Sequence, residues 1–164
     1  MIGNDVIDIA AARRESNWQR RGFLKKIFTI DEQLVIASSA DPERMVWTLW
    51  SMKEAAYKIY NRHTGIRAFI PHWFKCTVNA ADKGVATCDG LRFYTKTLIE
   101  GNMIHTVAVN MPDNLNNVQL ISPTAIIKEA NLLPYTICQI SGQAIAASRS
   151  HHGEFDLSVC IASH

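Results

Sequence analysis

Residues 50–58 read Trp-Ser-Met-Lys-Glu-Ala-Ala-Tyr-Lys, which sets one carboxylate, Glu54, between two lysines, Lys53 and Lys58, in a stretch otherwise suited to a core. Glu54 and Lys58 stand four apart, so on a helix they share a face, where a solvated pair contributes only about 0.2–0.5 kcal/mol. A second acidic stretch argues for more. Residues 2–9 are β-branched yet carry Asp5 and Asp8, and aspartate is depleted in strands. Either these acids lie at a strand end open to water or they bind a metal or substrate. Asp5 and Glu54 together would suffice for magnesium, which is commonly held by one or two carboxylates while water and substrate phosphates complete its shell. Lys53 and Lys58 would balance the remaining phosphate charge, as phosphoryl transfer requires. A third cluster, Ser148-Arg149-Ser150-His151-His152-Gly153, gathers donors for a phosphate or ribose where a strand meets a turn, a pattern that also occurs on plain surfaces.

The elements that must position these groups follow from periodicity and punctuation. Asp41-Pro42-Glu43 opens a helix with a cap acceptor, a first-turn proline and an acid near the positive end of the dipole. Apolar residues then recur at spacings of three and four from Met45 to Tyr60, predicting an amphipathic helix to about Asn61, with Gly65 beyond its end. Residues 2–9 are predicted as a strand. Ser16 is placed as the cap of a helix over 18–28, weakened at Gly22, and Thr29 to Glu32 has the form of a capping box opening a short helix. After Gly65, strands are predicted at 73–78, 91–98 and 103–110, with turns at 82–84, 89–90 and 100–102. Ser122-Pro123 signals a helix over 124–131, and strands at 135–140, 144–149 and 155–161 finish the chain. Helices early and antiparallel strands late predict an α+β fold, the N-terminal strand and helices packed on an antiparallel sheet.

A chain of 164 residues that is 48% hydrophobic suits one domain, 1–164, with a substantial core. No apolar run approaches a membrane span, and Asn4, Asp5 and Asp8 break the only apolar segment at the start, unlike a signal peptide; a cytoplasmic protein without a membrane partner is expected. Cys76, Cys88, Cys138 and Cys160 lack C-x-x-C spacing and are expected as buried free thiols. His63, His72 and His105 have no visible partner. Arg13, Arg14, Arg20, Arg21, Lys25 and Lys26 are six of the 17 basic residues, crowded into the first 26 positions, which suits an acidic partner or phosphate-rich ligand. With Trp18, Phe23 and Phe28 nearby, they also admit a basic nucleic-acid-binding module, which would bind with steep salt dependence and no need of Asp5 or Glu54. The aromatics are more simply core. A Gly-rich phosphate loop, H-E-x-x-H and G-x-S-x-G are all missing from the sequence.

In combination, G-x-D as Gly3-Asn4-Asp5, Phe28-Thr29 with Glu32, W-S-x-K-E-A-x-x-K as Trp50 to Lys58, and S-x-S-H as Ser148 to His151 resemble the 4'-phosphopantetheinyl transferase superfamily, in the order of its holo-acyl-carrier-protein synthase branch. The resemblance implies that family's fold and its magnesium-dependent reaction: transfer of phosphopantetheine from coenzyme A to a serine of an acyl or peptidyl carrier protein, releasing adenosine 3',5'-bisphosphate. It implies Asp5 and Glu54 as metal ligands, Glu54 and Lys58 as catalytic residues, Lys53 and Lys58 on the diphosphate, and Ser150 and His151 at the nucleotide end of coenzyme A. Asp8 matches a second acidic position of the N-terminal motif, and the basic stretch from Arg13 to Lys26 would face an acidic carrier, as in fatty-acid biosynthesis. Small members of the family form trimers with sites between subunits, and double-length members fold two halves in one chain. At this length a single half with an insertion around 111–135 is expected, and a homotrimer is the assembly to test. A magnesium-dependent nucleotide phosphodiesterase would use the same acids but pass the phosphoryl group to water.

Overall fold

The computed structural model describes residues 1–80, 82–128 and 133–162. It opens with β1, Ile2–Asp8, buried at every position, acids included. The strand stops at Asp8 because that side chain caps the next element: its Oδ1 accepts from the Ala11 amide at 3.1 Å and starts α1, Ile9–Glu15. The helix predicted over 18–28 is displaced as a result. Ser16 ends α1 instead of starting a helix, and Gly22, at φ +86°, leaves only the short α2, Phe23–Ile27. Glycine takes that left-handed backbone at no steric penalty, so it interrupts the helix outright where propensity alone predicts a weak spot.

The next two helices match their sequence signals. Both halves of the Thr29–Glu32 capping box form at the start of α3, Ile30–Ser38, the Thr29 amide donating to Glu32 Oε2 at 2.8 Å and the Glu32 amide to Thr29 Oγ1 at 3.3 Å. Asp41 caps α4, Pro42–Thr64, through the Arg44 amide, and Gly65 closes it at φ +74°. No helix among the described residues is long and apolar enough to cross a membrane.

The first sheet runs in the antiparallel order β1-β5-β4-β3-β2, with β2 Lys75–Val78, β3 Lys83–Cys88, β4 Leu91–Glu100 and β5 Met103–Val109. Its β3 is unexpected: no strand is predicted over 83–88, and Lys83 and Gly84, read as turn residues, belong to it. A Cβ at Gly84 would stand 2.6 Å from Met52 Cε and 2.6 Å from the Thr77 carbonyl oxygen, so this glycine marks where α4 lies down on the sheet. The core lies between α4 and this sheet. Cys88, Cys138 and Cys160 are buried and Cys76 is half-buried.

A second antiparallel sheet, in the order β6-β10-β9-β8-β7, comprises β6 Val118–Ile121, β7 Ile127–Lys128, β8 Pro134–Ile137, β9 Ala144–His152 and β10 Phe155–Ile161. The helix predicted over 124–131 is replaced. Ser122 caps a single 3-10 turn, Pro123–Ala125, and Ile127–Lys128 then pairs with β8; residues 129–131 lie outside the described ones. A cap and a proline signal where a turn begins, and the β-branched Ile126-Ile127 pair favours an extended continuation.

The two sheets meet at β1. This strand is the edge of the first sheet, and its outward amides are satisfied by side chains of β9: Asn4 N–H donates to Ser148 Oγ at 2.9 Å, Val6 N–H to Ser150 Oγ at 3.2 Å and Asp8 N–H to His152 Nδ1 at 2.9 Å. Both strands advance by two residues per contact, so their pleats match. On the other side α4 presses onto β1, where a Cβ at Gly3 would fall 2.1 Å from the Ala55 carbonyl oxygen. The glycine of G-x-D is therefore a contact requirement that sets the acids of β1 against α4.

Candidate active site

Asp5 lies where β1, α4 and β9 converge. Its Oδ1 accepts from Ser150 Oγ at 2.9 Å, Ser51 of α4 donates to its backbone carbonyl at 3.4 Å, and its Oδ2 is buried with no hydrogen-bond partner among the described residues. Burial pushes the Asp5 carboxyl above its ordinary value, against the pull of Lys58 and the Ser150 and Ser51 hydroxyls. Glu54 faces it from α4. Burial first, and then the Asp5 charge, raise the Glu54 carboxyl to about 7, with Lys58 opposing. Lys58, one turn further along, donates from Nζ to the Asn4 carbonyl at 2.6 Å and the Arg149 carbonyl at 3.2 Å, tying β1 to β9. Burial lowers its proton affinity while Asp5 and Glu54 raise it.

This donor set fits a hard divalent cation. The two carboxylates stand close enough for the Asp5 charge to act on Glu54, one Asp5 oxygen has no partner among the described residues, and Lys58 offsets both acids. The described residues contain no group of three His, Cys, Asp or Glu placed to hold a metal, so an ion at Asp5 and Glu54 would fill its remaining positions with water and substrate oxygens.

The other expected site residues separate on inspection. Lys53 is not at the site. It is fully buried on the opposite side of α4, where Nζ donates to Glu32 Oε1 at 2.8 Å, to the Pro71 carbonyl at 3.1 Å and to the Phe74 carbonyl, above the Phe28 ring. One step along a helix turns a side chain by about 100°, so Lys53 and Glu54 cannot face the same phosphate. Ser150 is likewise a support and not a ligand contact: its oxygen accepts from Val6 N–H and donates to Asp5. Replacing Ser150 with alanine leaves a buried amide and a buried carboxylate oxygen unpaired. The Ser150→Ala variant is expected to lose about 1–3 kcal/mol in a denaturant titration, and unchanged stability would remove Ser150 from this role. Asp8 is committed as well, its Oδ1 capping α1 and its Oδ2 accepting from the Glu154 amide at 3.3 Å. The Ala11 amide, foremost, holds its carboxyl below the ordinary range.

His151 is exposed and stands between two cavities. A cavity of about 640 Å³ runs between the C-terminal half of α4 and the second sheet, and its polar lining includes Lys58, Arg62, Lys128, Arg149 and His151. A groove of about 400 Å³ on the other side is lined by Asp5, Glu54, His151, Phe23, Trp47 and Trp50, with the end of α1 beside them. Arg62 and Lys128 did not figure in the sequence reading. Arg62 continues the 54–58–62 spacing on α4 and could have been found that way; Lys128 carries no local signal. His105 turns out buried, with Nε2 3.2 Å from Asn4 Nδ2, and burial, followed by the Lys58 charge, lowers its imidazole to about 4.

Comparison with known proteins identifies the family and the fold. The sequence profile of the 4'-phosphopantetheinyl transferase superfamily matches residues 1–109. No curated protein matches the sequence significantly. Among solved structures, the chain is similar to a holo-[acyl-carrier-protein] synthase from Neisseria meningitidis at 17% identity, covering 67% of this chain and 96% of that one with a TM-score of 0.51. It is similar to the Helicobacter pylori holo-[acyl-carrier-protein] synthase in complex with coenzyme A at 16% identity, covering 68% and 100% with a TM-score of 0.52. The Thermotoga maritima holo-[acyl-carrier-protein] synthase matches at 12% identity over 88% and 81% of the two chains, also with a TM-score of 0.52. At these identities the likeness to solved structures is one of fold; the profile match, covering well over half the chain, establishes kinship. The chain belongs to the 4'-phosphopantetheinyl transferase superfamily.

Proposed function

We propose that this protein transfers the 4'-phosphopantetheine group of coenzyme A to a serine hydroxyl of an apo acyl carrier protein, with magnesium held by Asp5 and Glu54. The observation that carries this reading is the buried Asp5 carboxylate, its Oδ2 without a partner among the described residues, lining one groove with Glu54 and His151, while His151 also lines the cation-rich cavity. In the reaction the serine oxygen bonds to the phosphorus bearing the pantetheine arm, and the diphosphate P–O bond to the nucleotide breaks, releasing adenosine 3',5'-bisphosphate. Bound magnesium would neutralise charge on the diphosphate. Lys58, Arg62, Lys128 and His151 would hold the phosphates and nucleotide in the larger cavity. Glu54 would also take the serine proton as the serine oxygen bonds to phosphorus. The serine would enter from the groove, which opens beside α1 and α2; Arg14, Arg20, Arg21, Lys25 and Lys26 are exposed there and suit an acidic carrier.

The alternatives differ from transfer in what they require. Phe28 is fully buried and Phe23 nearly so, packed on Trp47, so these rings serve the core, which counts against a nucleic-acid module that would stack bases on them. A phosphodiesterase would consume coenzyme A without a carrier. Intact mass of an apo acyl carrier protein, after incubation with this protein, coenzyme A and magnesium, tests the reading directly. The expected result is a gain of one phosphopantetheine, abolished by chelator; coenzyme A cleaved equally without carrier would replace transfer with hydrolysis.

A further inference from the structure

The second sheet begins at Val118, beyond residue 109 where the family match ends, yet it supplies half of the site. One wall of the 640 Å³ cavity is α4, through Tyr57, Lys58 and Arg62; the other is Lys128, Arg149 and His151 of the second sheet. From these residues we infer that the second sheet is a built-in wall, so that the complete coenzyme A site lies within one chain and borrows nothing from a second copy. The inference rests on the coenzyme A reading above.

Three features fix the wall in place. The first is the set of hydrogen bonds from β1 amides to Ser148, Ser150 and His152, which occupies the edge of β1 where a strand from another chain would otherwise add. The second is a pair of cations from α4 that cross to the sheet: Lys58 reaches the Arg149 carbonyl at 3.2 Å, and Arg62 donates to the Pro134 carbonyl at 2.7 Å and the Ala147 carbonyl at 2.9 Å. The third is an apolar cluster shared by the two sheets, Ile2 and Val109 from the first against Val159 from the second, with Leu115 of the connecting segment packed on it. Between β5 and β6 the chain has only residues 110–117, most of them in the 3-10 helix Pro112–Asn117. Exchanging the wall with a neighbouring chain would mean unpacking that cluster and straightening this connection.

Mixing two inactive variants of the full chain distinguishes the arrangements. Glu54→Gln disables the α4 side, and His151→Glu, an exposed position whose change leaves packing intact, places a negative charge on the wall. Each alone is expected to lower transfer to the carrier by about a hundredfold, with circular dichroism reporting that both remain folded. In a mixture co-refolded from denaturant, activity is expected to stay at the level of the variants, and the wild type is expected to keep its specific activity through serial dilution. Recovery of activity in the mixture, or loss on dilution, would mean that sites are shared between chains and would overturn the inference while leaving the transfer reading intact. Absence of transfer by the wild type would instead sink both. Should His151→Glu unfold, Lys128→Glu, also exposed on the same wall, serves in its place.

Discussion

Glu54→Gln is expected to abolish most transfer, by about a hundredfold or more, and at the same time to make the metal-free protein more stable at pH 8. The two effects have one cause. Glu54 and Asp5 are partly or wholly removed from water and face each other, which raises the Glu54 carboxyl from 4.5 to about 7. Because the folded value is the higher one, the native state holds this proton more tightly than the unfolded chain. Stability is then lost as the pH rises from the unfolded value through about 7, and remains lower above it. A glutamine carries no charge to repel, so the variant avoids a penalty on the order of 3 kcal/mol at pH 8 and gains nothing near pH 4. Thermal melts of both proteins across that range, without metal, test the sign. Magnesium adds an independent readout: it is expected to raise the midpoint of the wild type at pH 8, because it binds only the folded site, and to leave Glu54→Gln and Asp5→Asn nearly unmoved. Near-normal transfer by either variant, or equal stabilisation of all three by magnesium, would disprove the assignment of these carboxylates.

What the sequence made legible was local. The capping box at Thr29–Glu32, the Asp41-Pro42 start and the Gly65 stop of α4 depend on neighbours within a few residues, and each stands where its signal placed it. The pairing of Asp5 with Glu54 followed from residue type and from the family motifs. Other features were illegible because long-range contacts decide them. Gly84 reads as a turn residue until Met52 is seen pressing on it. Asp8 and Ser16 are both competent caps, and only the geometry of β1 chooses the first. Ser150 has the composition of a ligand contact, yet the edge of β1 and the Asp5 carboxylate claim its hydroxyl first. The S-x-S pattern therefore encodes a strand-edge support beside the site, while Arg149 and His151 of that segment line the larger cavity.

The same distinction governs Lys53, where motif and structure part furthest, and where the second large effect is expected. Within W-S-x-K-E-A-x-x-K the two lysines look equivalent, but Lys58 faces Asp5 and Glu54 while Lys53 points into the opposite core. Its partner, Glu32, is also buried and makes four contacts that join separate elements: Oε2 accepts from the Thr29 amide, Oε1 accepts from Lys53 and from the Cys76 amide at 2.7 Å, and its own amide donates to Thr29. The pair thus fixes α3, α4 and the start of β2 to one another. Replacing Lys53 with methionine keeps the volume and removes the charge, leaving Glu32 in a dry interior without its counter-charge. That is expected to destabilise the protein by about 3–5 kcal/mol, a large share of the roughly 5–15 kcal/mol that holds a domain folded. Changing Glu32 to glutamine in the same protein removes the stranded charge and is expected to restore part of the loss. A lysine on the diphosphate would behave differently: its removal would leave the denaturation midpoint in place and weaken coenzyme A. Urea titration and calorimetric binding of coenzyme A on the same preparations separate the two. A stable Lys53→Met protein with impaired coenzyme A binding would return Lys53 to the substrate, whereas a destabilised protein whose folded fraction binds normally makes it the anchor of the helix that carries the site.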